Sequence, residues 1–139
     1  MSNTFKNILA VISGLILGSG VNMLLINISG TIIPPPNGTD TSTMEGLISA
    51  LPLFEPKHFL FPFLAHAVGT LTAAIFSTLI AQTKQQVLAM IIGCLFLLGG
   101  ILNVVMLPSP LWFSLVDLIL AYFPMAYLGY VIGMKIKKQ

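Results

Sequence analysis

The chain has 139 residues, of which 56% are hydrophobic and only 7% are charged, whereas a soluble domain carries about 25% charged residues. So few charges cannot cover a water-facing surface, and a net charge of +2 is too small for the basic surface that nucleic-acid binding requires. The composition therefore argues against a soluble domain and against a nucleic-acid partner. It predicts an all-α membrane protein whose main partner is the lipid bilayer.

The apolar residues form four uninterrupted blocks, each close to the ~20 residues that a helix needs to cross a ~30 Å hydrocarbon layer. These blocks cover residues 8–28, 59–81, 87–107 and 113–134. The first block lacks a signal-peptide cleavage site and is expected to be a retained span. Because the connections between the last three blocks are short, these helices are expected to be antiparallel neighbours. The sequence thus predicts a four-transmembrane-helix antiparallel bundle that forms a single membrane domain, 1–139.

The lysines predict the orientation of this bundle. One side of the four-span arrangement carries five of them, Lys6, Lys84, Lys135, Lys137 and Lys138. The other side carries three acids and one lysine, Asp40, Glu45, Glu55 and Lys57. The positive-inside rule places the lysine-rich side in the cytoplasm. We therefore expect a multi-pass protein with cytoplasmic N- and C-termini and an external loop at 29–58.

This external loop is the only connection that is long enough for structure of its own. The prolines at 34–36 favour a stiff extended segment, and Asn37-Gly38 favours a turn. Ser42 and Glu45 then show the spacing of a capping box. The helical face that follows is apolar, with Met44, Leu47, Ile48 and Leu51. The loop is therefore predicted to contain a short amphipathic helix at the outer membrane surface, which either lids a cavity or covers the helix ends.

Small residues predict where the helices pack, because lipid gives helices no hydrophobic reason to associate and close backbone approach must hold them together. Each predicted span carries such residues on one face: Gly14 and Gly18; Ala65, Gly69, Ala73 and Ser77; Gly93 and Gly100; Gly129 and Gly133. In a continuous fourth helix, Tyr122 shares the face of Gly129 and Gly133, whereas Asp117 lies well away from it. Either one of these two faces binds another subunit, or both are satisfied within one chain.

One polar side chain from each predicted span lies near the outer boundary: Asn22, His66, Asn103 and Asp117. An Asp at the centre of a membrane helix costs about 2.5–3.5 kcal/mol on insertion scales, so these groups are expected to have partners. We expect His66 and Asp117 to interact, with further hydrogen bonds from Asn22 and Asn103. The cluster is either polar glue inside the bundle or an outward-facing pocket for a ligand or a proton, with His66 and Asp117 as the titrating pair.

The same polar residues give little basis for metal binding or catalysis. One histidine and one carboxylate leave the remaining ligands of a metal site unsupplied. No serine, threonine or cysteine stands in a recognisable nucleophile motif. The sequence therefore predicts no metal, no cofactor and no catalytic residue.

Several segments resemble small bacterial four-span proteins of uncharacterised function. These segments are 34–40 (PPPNGTD), 53–59 (LFEPKHF), 65–69 (AHAVG), Asn103 and 108–117. The resemblance spans most of the chain and implies a location in the bacterial inner (plasma) membrane. It implies no activity.

Two classes of function fit these expectations. In the first, the protein is a structural or accessory subunit that forms a homo-oligomer or joins a larger membrane complex. In the second, it is a minimal transporter or channel-like protein that binds a lipid or a small solute in the pocket around His66 and Asp117. The first class fits slightly better, because the chain has four spans, no large soluble domain and no cofactor motif. An integral membrane enzyme is a more distant alternative.

Overall fold

The structure, a computed structural model, describes residues 2–139. Six α-helices follow one another: α1 (Asn3–Ile32), α2 (Met44–Ala50), α3 (Leu60–Ile80), α4 (Gln85–Met106), α5 (Leu111–Leu120) and α6 (Phe123–Lys137). Two short 3₁₀ turns lie before α3, at Leu51–Leu53 and Pro56–Phe59. Four helical segments are long and apolar enough to cross a membrane: Asn3–Ile32, Pro56–Ile80, Gln85–Met106 and Leu111–Lys137. The prediction of four such segments is confirmed.

The first helix is longer than the predicted block at 8–28. It begins at Asn3, where the Ser2 hydroxyl accepts a hydrogen bond from the Phe5 backbone N–H. It ends at Ile32 because Ile33 precedes Pro34, and a residue before proline disfavours the α conformation. Ile33 accordingly has φ −124° and ψ 87°. The long connection therefore covers 33–59 instead of 29–58.

This connection contains the predicted short helix, with a different N-cap. The Thr43 hydroxyl, not that of Ser42, caps α2 by accepting from the Gly46 N–H at 3.1 Å. Ser42 instead donates its backbone N–H and its hydroxyl to the Asp40 carboxylate, at 2.9 and 2.6 Å. These hydrogen bonds hold the pKa of Asp40 below its usual value. The Ser42 hydroxyl is thus directed at Asp40, and the hydroxyl of the next residue caps α2.

The long connection is fixed to the start of α3 by His58. Its ring Nδ1 accepts a hydrogen bond from the Glu55 N–H at 2.9 Å, so Nε2 carries the proton and donates to the Pro34 carbonyl at 3.1 Å. Leu47 of α2 packs against a small apolar cluster built on Phe59. The predicted apolar face of α2 is therefore only partly covered, and Met44 and Ile48 remain exposed.

Helix α3 is central, since it contacts α1, α4 and α6. Its small-residue face is buried along its length, from Ala65 through Gly69 and Ala73 to Ser77. Glycines of α1 lie directly against this face. A methyl group added at Gly14 would fall 2.6 Å from the Ala73 carbonyl oxygen, and one added at Gly18 would fall 2.5 Å from the Gly69 carbonyl oxygen. The order of these pairs shows that α1 and α3 run in opposite directions.

The glycines of the fourth span pack against a second face of α3, which the sequence reasoning did not identify. A methyl group added at Gly129 would fall 2.7 Å from the Ala74 Cβ, and one added at Gly133 would fall 2.8 Å from the Thr78 Cβ. Gly93 of α4 meets the same helix, α6, at Ala126. Of the two alternatives for the fourth span, the structure shows that the Gly129 and Gly133 face is occupied within the chain.

Polar contacts join the helix ends around the connection between α3 and α4. The Asn7 side-chain carbonyl accepts the backbone N–H groups of Gln82 and Thr83, at 3.1 and 3.4 Å, and its amide donates to the Thr83 hydroxyl at 2.9 Å. The Lys137 ammonium donates to the Ala81 carbonyl. A cation at the C-terminal end of a helix is favourable, so α3 is tied here to both α1 and α6. We call this end of the molecule the lysine end.

Candidate functional site

His66 of α3 and Asp117 of α5 form a buried pair. The His66 Nδ1 lies 2.8 Å from one carboxylate oxygen of Asp117 and 3.0 Å from the other. The Asp117 side chain is 3% exposed and the His66 side chain is 14% exposed. The two helices place these residues face to face, as the charge argument expected. Because a carboxylate can only accept hydrogen bonds, the His66 Nδ1 carries a proton in this pair.

Tyr122 completes the pair by donating its hydroxyl to the second Asp117 oxygen at 2.8 Å. Its ring also lies beside the imidazole of His66, with 5.8 Å between the ring centroids. Tyr122 is almost fully buried. The carboxylate of Asp117 therefore receives hydrogen bonds from both neighbours, and this satisfies the charge in an apolar setting.

A break in the fourth span makes the contact between Tyr122 and Asp117 possible. Residues five apart on a continuous helix lie about 140° from each other, which is why the sequence placed them on different faces. That expectation was wrong, because α5 ends at Leu120 and α6 begins at Phe123. Tyr122, between them, has φ −114° and ψ −81°. Pro124 lacks an N–H and sits in the first turn of α6, so the helical hydrogen bonds are interrupted at this position.

Asn22 and Asn103 do not reach the His66–Asp117 pair. Neither side chain makes a hydrogen bond with any residue in 2–139, so the expected network of four residues is reduced to His66, Asp117 and Tyr122. Both asparagines instead border a cleft of about 470 Å³ between α1 and α4, together with Ser19 and one edge of His66. We call this the His66 cleft.

The His66 cleft exists because α1 and α4 touch only near their middles. Methyl groups added at Gly14 and Gly18 would each lie 3.1 Å from α4, at the Ile92 Cδ1 and the Phe96 Cζ respectively. Beyond Phe96, towards the 33–59 connection, the cleft lies between the two helices. Gly99, on α4 in the cleft, has no atom near the position that a side chain would occupy. The cleft is therefore open at the side of the molecule and wide enough to admit other atoms.

The chemistry available to this cleft is that of one imidazole nitrogen and two amides. The His66 Nδ1 is held by Asp117, so Nε2 is the ring nitrogen available to a ligand. When the ring is neutral this atom accepts a hydrogen bond, and when the ring is protonated it donates one. Among residues 2–139 there is no group of three potential metal ligands. The hydroxyl of Thr70, below His66 on α3, is engaged with the His66 carbonyl at 2.8 Å.

Comparisons with known proteins do not name this arrangement: no family model, no curated protein and no solved structure matches the chain. The resemblance to small bacterial four-span proteins therefore stays a prediction. The class that the fold itself defines is an all-helical chain with four segments able to cross a membrane.

Proposed function

We propose that the chain is a four-span protein of the bacterial inner membrane and that it acts as a structural subunit, joining a second copy of itself through the His66 cleft. The four apolar segments support insertion into a bilayer. The opposed directions of α1 and α3 support an antiparallel bundle. In this arrangement the lysine end is cytoplasmic and the 33–59 connection is external.

The observation that carries the proposal is the pair of unpartnered amides at Asn22 and Asn103. An amide that faces hydrocarbon without a hydrogen bond is costly, and asparagines in membrane helices commonly bond across to another helix. An amide both donates and accepts, so the same residue in two copies can pair with itself across a two-fold axis. A second copy therefore satisfies these groups without any further partner.

The shape of the cleft also suits a helix. Helices approach closely where small residues leave the backbone accessible. The His66 cleft has such positions on both walls, Ser19 on α1 and Gly99 on α4, and both are exposed. Glycines that face a neighbouring helix, such as Gly18 and Gly129, already have a helix of the same chain packed against them.

The dimer is tested by cross-linking through a cysteine at Met106, which borders the His66 cleft and is exposed. In the Cys94→Ser background, Met106→Cys is expected to give a disulfide-linked dimer in membranes. Adding Asn103→Leu should lower the association constant by about 3- to 30-fold, because an interhelical hydrogen bond contributes roughly 0.6–2 kcal/mol. The readout is the dimer fraction on non-reducing gels.

Two controls belong to this experiment. Asn27→Leu makes the same change on an exposed residue outside the cleft and should leave the cross-link unchanged. The native Cys94 is exposed on α4 but does not border the cleft, so it should not cross-link. A dimer fraction that is equal in the Asn103→Leu and Asn27→Leu variants would rule out this interface.

The orientation is tested with reporter fusions. A fusion after Lys138 should report a cytoplasmic location, and a fusion within the turn at Gly38 should report an external one, because the positive-inside rule retains the lysine-rich side. Fusions after Thr83 and Pro108 report the location of the two short connections, between α3 and α4 and between α4 and α5. A cytoplasmic signal at Gly38 would reverse the orientation.

A second function, the binding of a small polar or amphiphilic ligand, is favoured by one specific observation. The His66 Nε2 is left without a partner on the wall of an open cleft, while Asp117 fixes the orientation of the ring. A ligand hydroxyl or carboxylate could occupy the position that a second helix would otherwise take. The Met106→Cys experiment separates the two functions, because a cleft filled by a ligand gives no cross-linked dimer.

A further inference from the structure

A second cleft between α1 and α4 lies at the lysine end, and its lining changes from polar to apolar along the two helices. It has a volume of about 470 Å³. Asn3, Thr4 and Lys84 line its polar end, which we call the mouth, and Ile8, Ile12 and Ile91, all exposed, line its apolar wall. We call it the Lys84 cleft. A polar mouth above an apolar wall matches the two parts of a phospholipid, a headgroup and an acyl chain.

The charge around the mouth is of one sign. Lys84 makes no ion pair among residues 2–139, and the other cations at this end are Lys6 and the three lysines of the C-terminal segment. None of the four acids is here: Asp40, Glu45 and Glu55 lie in the 33–59 connection and Asp117 lies in the His66 site. Such a mouth attracts an anion and has nothing to repel it.

The backbone adds donors to the same place. Lys84 takes a left-handed conformation, with φ 56°, and no side chain caps the first turn of α4. The first N–H groups of α4 therefore have no acceptor within their own helix. Their partial positive charge adds to that of the Lys84 ammonium.

We propose that the Lys84 cleft binds one anionic phospholipid, with the headgroup phosphate at Lys84 and an acyl chain along Ile8, Ile12 and Ile91. The carrying observation is the combination of an uncompensated cation with an apolar groove that leads away from it. The occupant is a lipid and not a free anion, because the larger part of the lining is apolar. This site is independent of dimer formation at the His66 cleft.

The test uses the full chain, purified in a neutral detergent, with phosphatidylglycerol or phosphatidylcholine added and lipid binding measured by native mass spectrometry. Phosphatidylglycerol is expected to bind more tightly than phosphatidylcholine. Lys84→Gln should weaken phosphatidylglycerol binding about fivefold, since one basic side chain near anionic lipid contributes about 1 kcal/mol. Lys138→Gln, which removes the same charge from the same end but outside the cleft, should weaken it less than about twofold.

The acyl chain is tested separately on α1. Ile12→Trp fills part of the cleft and should weaken phosphatidylglycerol binding, whereas Ile16→Trp, one turn further and outside the cleft, should not. Both residues are exposed, so the fold should be kept, and the melting temperature without lipid verifies this. Glycerol phosphate should not compete, because it has no acyl chain.

Three results would overturn the proposal. The first is equal weakening by Lys84→Gln and Lys138→Gln, which would mean that only the diffuse charge of this end matters. The second is phosphatidylcholine binding as tight as that of phosphatidylglycerol. The third is displacement of the lipid by glycerol phosphate, which would mean that a free anion is the occupant.

Discussion

Gly18→Leu is expected to separate α1 from α3 and to be the most destabilising single change in the first helix. Even a methyl group at this position would lie 2.5 Å from the Gly69 carbonyl oxygen and 2.6 Å from the Ala73 Cβ. The obstacle is backbone of α3, which cannot rotate away as a side chain can. Overpacking against a rigid neighbour costs about 3 kcal/mol or more, which corresponds to a fall in melting temperature of roughly 10 °C for a chain of this size.

The matched control is Gly20→Leu, two residues further along the same helix. Gly20 has no atom near the position of an added side chain, so leucine there should change the melting temperature little. The two variants share the loss of a glycine and the gain of an apolar side chain, and they differ only in what the new side chain meets. Similar melting temperatures for both would show that α1 does not pack on α3 through Gly18.

Asp117→Ala is expected to have a comparably large effect, because it removes the acceptor of both His66 and Tyr122. Removing one member of a buried pair costs about 3–5 kcal/mol, and the lower end applies here since His66 keeps access to the cleft. The His66→Ala change should cost less once Asp117 has been replaced, with a coupling energy of about 0.5–3 kcal/mol. Thermal unfolding in detergent of the two single variants and the double variant measures this coupling.

Tyr122→Phe is the control that separates the stability contribution of the Tyr122 hydroxyl from that of the His66–Asp117 pair. It removes only the hydroxyl that donates to Asp117, while the ring keeps its packing beside His66. Its cost should be close to that of one buried hydrogen bond to a charged group, about 1.5–3 kcal/mol. If the effects of His66→Ala and Asp117→Ala simply add, the contact between the two side chains contributes nothing to stability.

The sequence predicts those features of the fold that are properties of a single helix. Block length and hydrophobicity identified four long helices, because crossing a bilayer sets a minimum length for each. The depth of His66 and Asp117 within their blocks, together with the cost of an unpaired charge in lipid, pointed to a pair. Small residues likewise identified the α1-facing side of α3, since Gly69 and Ala73 belong to an uninterrupted ladder.

The features that escaped prediction depend on two segments together. The sequence shows Pro124 and hence a disturbance of the helix, but no local pattern reveals that the break brings Tyr122 to Asp117. Asn22 and Asn103 share the depth of the pair, yet depth alone does not show that a cleft lies between α1 and α4 there. The second buried face of α3, with Ala74 and Thr78, reads as ordinary apolar helix until α6 is placed against it.

The contacts of α1 with the rest of the protein lie on one side of the exposed turn at Gly38. These contacts include Asn7 at the α3–α4 connection and the glycines at 14 and 18 against α3, and just beyond the end of α1 the Pro34 carbonyl accepts from His58. All of the α1 groups involved precede Gly38, which sits in an exposed turn with φ 83°. The contacts between 2–38 and 39–139 therefore do not depend on the continuity of the chain at Gly38.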